Sequence, residues 1–157
     1  MSESLYSTLL LLHSYWRWIV LVVAVGAIMI SYAGWMRDLP AKPWAKLSRL
    51  SFIIVLDLQF LLGLLLYLSS PLVREAWKNF GAAMKDADLR FYSVEHTLCM
   101  IVGLALAHIG SARCKRMAFS KAAHLKLAIW YSVSLIVILI GTPWSRPLFR
   151  MLSSSYE

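Results

Sequence analysis

The chain has 157 residues, 60% of them hydrophobic and only 15% charged, with a mean hydropathy of +0.66. Soluble domains run at about 45–50% apolar and about 25% charged, so a water-soluble enzyme, a disordered tail and a nucleic-acid module are excluded as first readings. The formal net charge of +8 is read instead as a topology signal and as attraction to anionic membrane lipids.

A membrane span needs about 20 mostly apolar residues, and four stretches qualify. The first runs from about Leu9 to Gly34, with room for the helix to begin near Leu5. No basic segment precedes it and no small-residue cleavage site follows, so it reads as a span rather than a cleaved signal peptide. The second runs from about Leu50 to Leu68. In the connection that follows, residues 69–90, Ser70 can cap a short helix with Pro71 at its first position and Gly81 at its end. Leu72, Val73, Trp77 and Phe80 would give that helix an apolar face to lay on the membrane surface; a plain capping loop is the alternative. The third span runs from about Phe91 to Ala112, and the fourth from about Leu125 to Thr142, stopping at Pro143. Trp35, Trp44, Trp77 and Trp144 fall at span ends, where indole anchors at the interface. The expected fold is all-α, an integral membrane up-down four-helix bundle forming one domain over residues 1–157. Cys99 and Cys114 make no disulfide framework or metal pattern and are expected as free thiols.

Lys and Arg set the orientation. The first and third connections carry nine: Arg37, Lys42, Lys46, Arg49, Arg113, Lys115, Arg116, Lys121 and Lys126. The opposite side carries six: Arg74, Lys78, Lys85, Arg90, Arg146 and Arg150. The richer side is expected to be cytoplasmic, which puts both termini outside.

All four histidines lie in or beside spans, where an ionisable residue is costly and points to function. Counted along the helices, His13 and His96 fall near the outer end, His108 and His124 near the inner end. His96 and His108 are twelve residues apart on one helix, roughly 18 Å of rise and roughly 120° of rotation. That separation suits two flat cofactors, one per leaflet, each shared with a histidine of another helix. Haem is the natural occupant. Two neutral imidazoles close both faces of the iron and favour electron transfer over oxygen binding, whereas zinc would want three or four clustered ligands. A chlorophyll-type pigment, which needs one histidine, stays open, as do hydrogen-bonding or interfacial roles, above all for His124 between Lys121 and Lys126.

Arg17 lies one turn below His13 on the same face and needs an anionic partner: a haem propionate, or Glu95. Asp57, inside the second span, could orient a ligand imidazole, carry protons for a quinone, or stay protonated and bond a neighbouring helix. Gln59, two residues on, points elsewhere. Gly103, seven residues after His96 on nearly the same face, would clear space for a macrocycle or simply for helix packing.

Leu12-His13-Ser14-Tyr15-Trp16-Arg17-Trp18, Leu58-Gln59-Phe60-Leu61-Leu62-Gly63, Glu95-His96-Thr97-Leu98-Cys99-Met100, Ala107-His108-Ile109-Gly110 and Pro143-Trp144 resemble segments of a family of small bacterial four-helix membrane proteins labelled cytochrome b-like. The resemblance covers nearly the whole chain. It implies a haem b electron-transfer role with His13, His96 and His108 at matching positions; one haem is the better count if His124 does not match. On this reading His13 and His96 ligate an outer haem, His108 and His124 an inner one. Arg17 and Gly103 would help to hold cofactor, and Asp57 would tune it or move protons. The chain would relay electrons between a quinol or an outer redox partner and a second carrier as a subunit of a respiratory or photosynthetic complex in the bacterial plasma membrane. A cofactor-free structural subunit is the alternative, and a small transporter a third reading on Asp57 and Gln59 alone.

Overall fold

The computed structural model describes residues 3–39, 43–117 and 120–144, and among them the regular structure is helical throughout. Helix α1 spans Glu3–Met36, α2 Pro43–Ser69, α3 Pro71–Lys78, α4 Phe80–Ala83 and α5 Ala87–Arg90; a π-helical turn, Phe91–Glu95, leads into α6, His96–Arg116, and α7 spans Lys121–Ile140. Four helical stretches are long and apolar enough to cross a membrane: Ser4–Met36, Ala45–Ser69, Ala87–Arg116 and Lys121–Ile140. The chain is a multi-pass, all-α membrane bundle.

The helices outrun the expected spans because hydropathy finds only the part in hydrocarbon. The 34 residues of α1 are about 51 Å long against a hydrocarbon core of about 30 Å, so its ends stand in the headgroup layers. Helix α2 begins seven residues before Leu50, with Pro43 in its first turn, where a missing N–H costs nothing.

Helix α1 packs on α2 and α7, and α6 packs on α7 and α2, closing a four-membered ring. At most 39% of the most apolar 18-residue window of any span is buried inside the bundle. The rest of that apolar surface faces outward on every helix, an arrangement only lipid tolerates. Contact between helices runs through small residues and a few hydrogen bonds. A Cβ on Gly110 would collide with Trp130, and one on Gly103 would lie 2.7 Å from Ile138 Cγ1. Trp16 Nε1 donates to the Val55 carbonyl at 2.9 Å and Ser134 Oγ to the Gly103 carbonyl at 2.7 Å.

The second connection forms a short amphipathic helix as expected. Ser70 Oγ accepts from the Val73 N–H at 3.3 Å, Pro71 follows, and Val73 and Ala76 are buried. It ends at Lys78 rather than at Gly81, because Asn79 leaves helical geometry and its side chain caps the next turn through the Ala82 N–H. Cys99 and Cys114 are free thiols. Lys42, Arg146 and Arg150, used in the charge count, lie outside the described residues.

Candidate functional site: an imidazole pair facing a cavity

At the end of the bundle that carries α3, a cavity of about 290 Å³ opens between α1, α2 and α6, with Leu72 and Val73 of α3 and Thr142 and Pro143 after α7 in its wall. This is at the lower edge of the ~300–1,000 Å³ that ligand sites occupy. His13 and His96 both line it. Their ring centres are 6.4 Å apart, with the planes at 80°.

Each imidazole is held from behind. His96 Nδ1 is 2.7 Å from the Gly141 carbonyl oxygen, which can only accept. In the neutral ring the proton is therefore on Nδ1 and the lone pair on Nε2, the arrangement that orients ligating histidines generally. Gly141 caps α7, and its carbonyl reaches His96 because its backbone lies against α6: a Cβ there would collide with Cys99. The π-helical turn sits directly before His96; such turns are frequent at functional sites. On α1, the Gln59 amide nitrogen donates to the His13 carbonyl at 3.1 Å and lies 3.3 Å from His13 Nε2. Gly63 lets the ring lie against α2, since a Cβ would stand 3.0 Å from His13 Cε1. Among the described residues, His13 Nδ1 and Gln59 Oε1 are buried with no hydrogen-bond partner. Both residues line the cavity, and an unsatisfied buried polar atom costs about 1–3 kcal/mol.

Arg17 lines the same cavity, its guanidinium carbon 5.8 Å from the Trp18 ring centre. Glu95 turns the other way and pairs with Arg90 at 2.6 Å, so the expected Arg17–Glu95 lock gives way to a local pair outside the cavity.

The inner pair does not form. His108 Nε2 is bonded to Asp57 Oδ1 on α2 at 2.8 Å, on an exposed face. His124 is 1% exposed and lies flush on α1, where a Cβ on Gly34 would be 2.6 Å from its Nδ1. The two rings serve different helix contacts, and no flat group fits between His124 and the α1 backbone. Asp57 does reach an imidazole, that of His108, but not one at the cavity. Gly103 is likewise corrected: the Ile138 side chain fills the space it leaves, so it packs α6 on α7, and Gly63 is the glycine that clears room for a histidine.

Two contributors to the site, and a buried arginine at the other end of the bundle, carry little signal in the sequence. Gln59 was set aside as pointing away from Asp57, which is true, and that direction is toward His13. The Gly141 carbonyl is backbone and has no side-chain signal beyond Pro143 marking the helix end nearby. Arg49 was counted only as a topology charge, yet it is 6% exposed, with its guanidinium on Ser111 Oγ and its carbonyl accepting from Tyr131 Oη at 3.1 Å.

Among the described residues no three His, Cys, Asp or Glu side chains cluster to hold a bare metal ion. His13 and His96 are two candidate nitrogen donors lining one cavity, the kind of pair that would hold a metal already carried by a macrocycle. In comparison with known proteins, no family model, curated protein or solved structure matches the chain.

Proposed function

We propose that this chain is a b-type membrane cytochrome, or a cytochrome-like subunit of a respiratory or photosynthetic complex, with one haem b held between His13 and His96. The observation that carries the reading is the pair of imidazoles with centres 6.4 Å apart, His96 held through Nδ1 by the Gly141 carbonyl, His13 held through its backbone by Gln59, and both lining one cavity. When bound, haem supplies a one-electron carrier whose iron is closed on both faces.

The chain's own residues do the rest. The Gly141 carbonyl fixes the tautomer of His96. Gln59 anchors the backbone and ring of His13. Gly63 provides clearance, and Arg17, in the cavity wall, offers a cation for a propionate. One haem is preferred to two because the inner histidines turn to different helices, His108 to Asp57 on α2 and His124 to Gly34 on α1. The resemblance to cytochrome b-like proteins points the same way. The excess of Lys and Arg in the first and third connections supports a cytoplasmic location for them and outer termini in a bacterial plasma membrane. On this reading its partners are other membrane subunits and a membrane quinol.

A reduced-minus-oxidised spectrum of the protein purified from haem-replete cells tests this. A bis-imidazole b-type signal is expected, and His96→Ala is expected to remove it. A folded protein with no Soret band overturns the reading and leaves a cofactor-free structural subunit.

A further inference from the structure

A second polar feature lies away from the cavity, on the outside of the bundle. The Asp57–His108 pair, 2.8 Å apart, is 43% and 49% exposed in its two side chains. Asp57 lies near the middle of α2, Pro43–Ser69, with its side chain on the outside of the bundle. Exposed Ile54, Leu58 and Leu61 surround it on α2, and exposed Ile101 and Ile109 lie on α6. Ionisable residues in membrane helices ordinarily face the bundle interior or a water-filled cavity, because lipid exposure is expensive. A mere clasp between α2 and α6 would cost less turned inward. Beside His108 on the same helix, three residues before and four after, stand Ala105 and Ala112, both exposed. Their side chains are single methyl groups and add little bulk beside the imidazole.

We propose that this pair binds the headgroup of a membrane quinone or quinol. The occupant must dissolve in hydrocarbon, reach the depth of Asp57 within α2 and present an oxygen able to accept from or donate to a carboxyl–imidazole pair. A quinone headgroup on an isoprenoid tail meets all three conditions, whereas a phospholipid headgroup stays at the interface. Bonded to each other through Nε2 and Oδ1, His108 and Asp57 each keep one further atom, Nδ1 and Oδ2, for such a ligand. The site extends the relay reading by assigning its donor: Asp57 is six residues along α2 from Gly63, against which the His13 ring lies, about 9 Å of helix rise. Binding itself does not require haem.

Photolabelling with an azidoquinone, on the full chain in nanodiscs with the labelled peptides mapped, tests the proposal. Label is expected on α2 and α6 around Asp57 and His108, displaced by excess unlabelled quinone. Asp57→Ala and His108→Ala each reduce it about tenfold or more, the change that loss of one charge-assisted hydrogen bond implies. Ala112→Leu, at an exposed position, adds bulk beside the imidazole, leaves the pair intact and lowers labelling similarly. His96→Ala keeps the label while losing any haem. Label spread evenly over lipid-facing residues, label not displaced by quinone, or label undiminished in Ala112→Leu and His108→Ala overturns the proposal and leaves a helix clasp. Specific label without a Soret band defeats the haem reading alone; a Soret band without specific label defeats this one alone.

Discussion

At one end of the bundle His13 and His96 face each other beside a cavity of about 290 Å³. At the other, His124 lies flush on the backbone of α1, and Arg49 is buried with Ser111 and Tyr131 against it. The same helix serves both ends. The first half of α7 buries Ala123, His124, Leu127, Ala128 and Tyr131, while past its last turn the Gly141 carbonyl braces His96. The difference lies in what surrounds each imidazole. A histidine packed ring-on-backbone stabilises a helix contact. His13 and His96 instead line a cavity, which leaves room beside both rings.

Exchanging alanine into each end separates the two most sharply. His13→Ala and His96→Ala are each expected to abolish the b-type spectrum while the bundle still forms, since neither ring fills a closed core. His124→Ala is expected to keep the spectrum and to cost about 2–4 kcal/mol of stability, as removal of a buried ring from a packed site does. Absorbance titration and thermal unfolding in detergent read the two effects. If His124→Ala removes the haem as completely as His96→Ala, the contrast between the ends is wrong.

Two glycines sharpen it. Gly34→Val drives a branched side chain into His124, whose Nδ1 would stand 2.6 Å from the new Cβ. Overpacking of this kind typically costs about 1–3 kcal/mol and should appear as lowered thermal stability. Gly63→Val meets His13 Cε1 at 3.0 Å, where the ring has the cavity to move into. Its fold should survive, with haem affinity lowered and the axial field distorted in electron paramagnetic resonance.

The expected effect of Gln59→Leu is smaller and confined to the cavity end. Partners that orient a metal's ligands are usually worth about 10–100-fold in affinity. Haem dissociation is expected to speed up by that order, with unfolding little changed; Gln59→Glu, which keeps a carbonyl-type oxygen but no amide donor to the His13 carbonyl, should rescue only in part. Unaltered haem retention in Gln59→Leu would show that the amide contact is incidental.

These contrasts also mark what could be read from residues alone. The four spans were legible because hydropathy integrates over about 20 positions, and the meeting of His13 and His96 because residue counts fix depth. Rotation about the helix axis is another matter. Depth places His108 and His124 in the same leaflet, but not on facing sides; the azimuth that turns His108 to Asp57 and His124 to Gly34 depends on how whole helices pack. The same ambiguity separates Gly63 from Gly103, equally plausible as clearance until one is found under a histidine and the other under Ile138. Charge drew attention to Asp57 over Gln59, although two residues of helix turn a side chain by about 200° and it was the neutral amide that faced the site.

The smallest expected effect tests whether the packed regions behave as ordinary membrane-helix contacts. Ser134 is fully buried and donates to the Gly103 carbonyl at 2.7 Å, tying α7 to α6. Interhelical hydrogen bonds in lipid average about 0.6 kcal/mol, because a hydroxyl released from one partner finds another within its own helix, as Thr142 does with the Ile138 carbonyl at 2.8 Å. Ser134→Ala should therefore lower stability by about 0.6 kcal/mol and leave the spectrum untouched. The carbonyl it abandons belongs to an intact helix and keeps its own N–H partner one turn on. A loss several times larger, or any change in the haem bands, would mean that the α6–α7 contact controls where α7 ends, and hence where Gly141 holds His96. The two ends of the bundle would then be coupled through α7 rather than independent.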